Sequence, residues 1–244
     1  MESFSTSAPG CNMTATRCVE RHMMMKSRIR TLGVAVLSAI GAVCTAAPAP
    51  LYENDFQSAE VGKAPADMLV LGGDFAVREE GGAKFLELPG APLETFEVLF
   101  GPAVTNNVVV SARIQGTRRG RLFPAFGVGL GGVNGHKLRV SPGKKALELL
   151  KGDTELARVP FDWPSGAWTH LRLRLRQAGA SGWKVEGKAW TEGASEPDVW
   201  QIVYDESTAP RPGRAGISGA PYAGTPIRYD DLRLERLGTE EGQR

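Results

Sequence analysis

Between Trp168 and Arg176 the chain alternates without a break: Leu171, Leu173 and Leu175 are interleaved with Arg172, Arg174 and Arg176. A strict period of two is a strand with one face buried, because successive side chains leave the backbone on opposite sides. A helix would scatter the same leucines round its circumference. The leucines must therefore face a core, and the arginines the far side of a sheet, as a solvated row or a ligand-facing wall.

The rest of the chain supports an all-β domain. From Leu51 onward, short apolar runs are separated by Gly, Pro, Asn and Asp clusters at intervals of about 8 to 12 residues, the spacing of a sandwich or barrel. The 30 Gly and 16 Pro suit that many turns. Fourteen strands are predicted, from Leu51–Phe56 to Ile227–Leu234. Ala146 to Lys151 has helix propensity, but Pro142-Gly143 before it and Gly152 after it favour a hairpin arm.

Residues 1–46 read as an export signal with an over-long start: Lys26, Arg28 and Arg30, then apolar Leu32 to Val43, then small residues at Cys44-Thr45-Ala46. The apolar run is 12 residues, and spanning a bilayer takes about 20, so no membrane insertion is expected after the signal is removed. Cleavage after Ala46 and initiation at Met23, Met24 or Met25 are expected; the alternative for the first residues is a genuine N-terminal arm. This predicts one domain over residues 47–237, periplasmic or extracellular, with a flexible tail over 238–244.

All three cysteines (Cys11, Cys18, Cys44) lie in the leader, so the domain has neither a disulfide framework nor a thiolate metal site. Lipidation of Cys44 is disfavoured by Val43, where such signals want a small residue. Five of the 29 basic and two of the 27 acidic residues precede Ala47, leaving 24 against 25. A near-neutral domain lacks the field that drives non-specific nucleic-acid binding, which excludes DNA and RNA as expected partners.

The runs WTHLRLRLR, KVEGKAW, EPDVW and GRAGISG, with the terminal YDDLRLERL, resemble the concanavalin A-like lectin/glucanase superfamily, specifically the laminin-G-like domains of exported bacterial proteins. YENDFQSAEVGKAP and GGDFAVREEGGAKFLEL are similar to the opening strands of the same group. The resemblance implies a two-sheet antiparallel jelly-roll sandwich whose first and last strands lie side by side. It would set Asn54 and Asp55 beside Asp230 and Asp231, where related jelly rolls hold a structural calcium; the alternative is that Asp231 caps a strand turn. No other cofactor is implied.

The five tryptophans fall between Trp163 and Trp200. Alternation puts Lys184, Glu186, Lys188 and Trp190 on one face. There Trp190 would either stack on a sugar ring, with charged neighbours bonding its hydroxyls, or cover the sheet edge under the Glu196-Pro197 loop. The expected ligand-binding set is Trp190, Lys188, Glu186, Arg172 and Arg174, and the expected partner is a glycan or polysaccharide.

Catalytic signatures are absent. There is no Gly-x-Ser-x-Gly elbow, and the glycine-rich run from Phe126 to Gly135 is followed by neither a helix nor Lys-Ser/Thr. The histidines His136 and His170 lack a third partner at a recognisable spacing. The Glu-x-Asp-x-x-Glu and Glu-x-Asp-x-Glu motifs of the glucanases are missing; Glu94 with Glu97, and Asp153 with Glu155, are the nearest acid pairs. The function expected is a non-catalytic carbohydrate-binding module. Its alternatives are a glycoside hydrolase with acids from different strands, and a structural or protein-interaction laminin-G-like module.

Overall fold

The computed structural model describes residues 49–91, 94–179 and 181–238. The expected leader, its cysteines and the tail after Gly238 lie outside the described residues.

The first strands are β1 (Tyr52–Asn54), β2 (Leu69–Val70), β3 (Ala76–Glu80), β4 (Ala83–Leu88) and β5 (Phe96–Val104). Then come β6 (Val108–Gln115), β7 (Ala125–Leu130), β8 (His136–Ser141), β9 (Ala146–Lys151) and β10 (Thr154–Pro160). The last are β11 (Trp168–Ala178), β12 (Gly182–Thr191), β13 (Ile202–Glu206), β14 (Gly213–Ala220) and β15 (Ile227–Arg236). The helix-prone Ala146–Lys151 is a strand, joined to β8 by a single 3-10 turn at Pro142–Lys144. Among the described residues no helix is long and apolar enough to cross a membrane.

All strand pairs are antiparallel and fall into two sheets. Sheet one runs β13-β12-β11-β6-β15-β4-β3, with β1 also paired to β15. Sheet two runs β10-β9-β8-β7-β14-β5-β2. The first and last strands are therefore neighbours, with Tyr52 opposite Leu234. Hairpin runs (β7 to β10, β11 to β13) stay within one sheet, and chain-distant strands such as β6 with β11 and β7 with β14 pair inside each layer, which is the jelly-roll arrangement of a sandwich.

The core lies between the layers. Leu171, Leu173 and Leu175 of β11 are buried, as their alternation requires, and face apolar side chains of sheet two such as Leu138, Val140 and Leu149. Contact between layers is close enough that a Cβ on Gly187 of β12 would collide with Leu138. At one end of the sandwich, buried His136 on β8 is hydrogen-bonded to Glu206 on β13 at 3.1 Å, and Lys151 Nζ donates to the same carboxylate at 2.6 Å. That polar clamp ties an edge of sheet one to sheet two.

Candidate functional sites on the two outer faces

With the core filled by alternate residues, the remaining side chains of each sheet form its outer face, and each outer face carries a cavity.

On sheet two the outer row runs Glu148, Arg139, Gly127, Ser218 and Glu97 across β9, β8, β7, β14 and β5. The glycines leave a trough. Lys137 and Glu97 stand three strands apart, about 14 Å at ~4.8 Å per strand, yet their side chains meet at 2.9 Å. They do so by lying over Gly129 and Gly216: a Cβ on these would fall 3.5 Å from Lys137 Cγ and 3.4 Å from Glu97 Oε1. Beyond this bridge the trough opens into a cavity of 420 Å³. Its floor includes Ser218, Arg139 and Ser141, and its rim carries Phe123, Tyr222 and Leu122. Tyr222 is 40% and Leu122 55% exposed, so the rim offers apolar surface to solvent.

Beneath this cavity lies Glu148, 0% exposed. Its Oε2 accepts from Ser141 Oγ at 2.5 Å and from Arg139 Nε and Nη2 at 3.1 and 2.9 Å, and its Oε1 accepts from Lys144 Nζ at 2.6 Å. Burial pushes this carboxyl up, but the donors from Lys144, Ser141 and Arg139 outweigh it and hold the group down at about 2. The carboxylate is thus ionised at neutral pH, with four donor hydrogen bonds on its two oxygens. Three cations, Arg121, Arg139 and Lys144, line the cavity, and no acid does among the described residues.

On sheet one a polar groove of 860 Å³ crosses β12, β11, β6, β15 and β1. The bulge in β15 between Asp230 and Arg233, with Asp231 at φ 50°, breaks the pleat and turns Asp231 into this groove. Trp190 stacks on His170 at 5.1 Å and 8°, and both rings line the groove. Arg172 lines it too, paired with Glu196 at 2.9 Å.

The other residues of the expected ligand set sit elsewhere. Glu186 (4% exposed) and Lys188 (7%) are buried. Arg174 and Arg176 hydrogen-bond Glu186 at 2.7 and 3.0 Å, while Arg174 and Lys188 lie under the Trp200 ring at 4.4 and 4.8 Å. Burial raises the Glu186 carboxyl, but the hydrogen bonds from the two arginines outweigh it and leave the group below its ordinary range. The loop before β13 folds Trp200 back over this face, which strand alternation alone does not reveal.

Of the four expected calcium ligands, Asn54, Asp55 and Asp231 line one groove at the chain ends, while Asp230 is buried and outside its lining. Arg113, however, already binds two of them, with Nη2 on Asp230 at 2.7 Å and Nε 2.8 Å from Asp231. Asn54 Oδ1 accepts the Phe56 N–H at 2.8 Å, and Asp55 Oδ1 the Gln57 N–H at 3.1 Å. Calcium needs six to eight oxygens in one cage, whereas these oxygens are committed to a guanidinium and to backbone turns. The residues do not fit the ion. Among the described residues no group of three or more His, Cys, Asp or Glu is arranged to hold a metal.

No family model matches the chain, and no curated protein sequence does. Solved structures match widely. A xylan β-1,4-xylosidase from Bacillus halodurans C-125 superposes with a TM-score of 0.54 at 15% identity, over 78% of this chain and 40% of that one. The metal-free carbohydrate recognition domain of Emp46p gives 0.50 at 12%, over 77% and 97%. A sialidase gives 0.50 at 10%, over 77% and 19% of its length. At such identities the likeness is one of architecture: the chain is an antiparallel, two-sheet jelly-roll sandwich of the lectin-like, concanavalin A-like kind.

Proposed function

We propose that this is a non-catalytic carbohydrate-binding module of the laminin-G-like group, exported from the cytoplasm, that holds an acidic glycan in the trough of sheet two. The observation that carries this is Glu148. A buried carboxylate costs stability that an apolar residue would not, and its outward neighbours on β9, Ala146 and Leu150, are apolar. What Glu148 achieves is orientation of Arg139, Ser141 and Lys144 at the cavity floor. A guanidinium has five N–H donors, and Arg139 gives two of them to Glu148, leaving the others for a ligand carboxylate, sulfate or hydroxyl. Phe123 and Tyr222 supply flat apolar surface for the C–H face of a sugar ring. The cavity's size falls within the ordinary range of small-molecule sites, about 300 to 1,000 Å³. The leader-like residues 1–46 support export.

The carboxylates of the trough favour binding over hydrolysis. A glycosidase needs one carboxylic acid whose pKa is raised so that it can protonate the leaving group. Glu148 is held the other way, and Glu97 is paired with Lys137.

Isothermal titration with trigalacturonate, beside a panel of sulfated and neutral oligosaccharides, tests the proposal. Acidic probes should bind with an affinity that falls as salt rises. Arg139→Ala should weaken them by about 2 kcal/mol, roughly 30-fold. Release of shortened sugars, or unchanged affinity in Arg139→Ala, would contradict it.

A further inference from the structure

The groove of sheet one plays no part in that proposal, and the geometry points to a second, independent carbohydrate site there, one that takes an uncharged oligosaccharide. It shares with the trough only the premise that the module binds glycans.

The groove is long. From Trp190 on β12 to Glu53 on β1 it crosses four strand spacings, about 19 Å. That exceeds a single sugar ring and suits a short chain of them. At one end His170 and Trp190 form a stacked aromatic ledge. Burial holds the His170 imidazole below its usual pKa, which favours its uncharged form.

The polar lining selects against charge. Each guanidinium in the groove is tied to a carboxylate: Arg172 to Glu196 at 2.9 Å, Arg233 to Glu53 at 3.2 Å and Arg113 to Asp231 at 2.8 Å. Such pairs present N–H donors and carboxylate acceptors side by side. A hydroxyl both donates and accepts, and so matches them. An anionic sugar would meet five acids against three arginines, because Asp55 and Glu235 also line the groove. Beside Glu53, Glu196 and Asp231 a guanidinium already takes the place of a free cation.

The trough lacks this balance, since it offers cations without an accessible acid. The two sites lie on the outer faces of opposite sheets and so face away from each other. One module then joins two chemically different glycan chains, one acidic and one neutral.

Titration of the whole chain with xylohexaose and cellohexaose tests the second site. At least one hexaose should bind, Trp190→Ala should weaken it by about tenfold or more, and Trp190→Phe should retain most of the affinity. Arg139→Ala and saturating trigalacturonate should leave hexaose binding unchanged. Should Trp190→Ala fail to fold, as judged by its thermal transition, Arg172→Ala gives the same readout from a half-exposed position. The site is overturned if neither hexaose binds, if Trp190→Ala or the folded Arg172→Ala binds like the parent, or if trigalacturonate displaces the hexaose. Hexaose binding without any trigalacturonate binding would support the second site while removing the first.

Discussion

Glu148→Ala should abolish binding of acidic glycans in the trough and destabilise the domain by about 1 to 3 kcal/mol, the range for hydrogen bonds lost to a charged group. The partners explain why the loss of function exceeds the loss of stability. Arg139 and Lys144 reach Glu148 from the surface, so after truncation they regain water instead of staying buried without a partner. What they lose is their shared anchor. Glu148→Gln should keep the fold and part of the affinity, since an amide still accepts two of the hydrogen bonds but no longer carries charge. Parent-like trigalacturonate affinity in Glu148→Ala would show that the buried acid orients nothing.

Acidity should act through the same residue. Glu148 and Glu206 are both held at about 2 in the fold, against about 4.3 for an unperturbed glutamate. In each case burial opposes the shift and the surrounding donors outweigh it: Lys144, Ser141 and Arg139 for Glu148, Lys151, the Thr208 N–H and His136 for Glu206. A carboxyl depressed in the fold stabilises fully above its unfolded value, and that contribution drains away as pH falls toward the folded one. His136 is lowered by burial, so the unfolded chain takes up its proton first and stability begins to fall below about pH 6.5. Thermal midpoints should thus decline gently below pH 6.5 and steeply between about pH 5 and 2. In Glu148→Gln the steep part should flatten.

Leu173→Ala should be among the most damaging core truncations. Leu173 is fully buried at the centre of β11, with β6 on one side and β12 on the other. Removing its side chain should cost about 2 to 5 kcal/mol, the loss of transfer free energy plus the cavity left behind. For a domain of this size that lowers the thermal midpoint by about 10 °C, at 2 to 4 °C per kcal/mol. Arg172→Ala, one residue away on the outer face, should shift it little. Equal shifts for the two would mean that the alternation does not mark core and surface.

That alternation is why the architecture was legible in the sequence. Period-two runs, turn residues between them and the resemblance of both chain ends identify a two-sheet jelly roll, and β1 does pair with β15. The strand missing from the sequence reading is β2, two residues long and too short to show a period. The sites were legible only in part. Trp190 and Arg172 on the outer face of sheet one follow from alternation, as does their separation from the leucines.

The lid over Lys188, Glu186 and Arg174 does not follow, because it depends on how the loop to Trp200 folds back. The side chains expected to hold calcium are engaged otherwise for a related reason. Arg113 lies more than 110 residues from Asp230 in the chain, and only strand pairing shows that a guanidinium occupies the place a cation would take. Glu148 left a faint signal, one acid within the apolar run Ala146 to Leu150. Its meaning needed the β8–β9 register that sets Arg139 opposite it.

The most direct test of the central claim is amide NMR of the isotope-labelled domain titrated with trigalacturonate. Binding in the trough predicts shifts concentrated at Arg139, Ser141, Lys144, Ser218 and Tyr222, with the amides around Trp190 and Arg172 unmoved. Shifts confined to the sheet-one groove, or none at millimolar ligand, would contradict it.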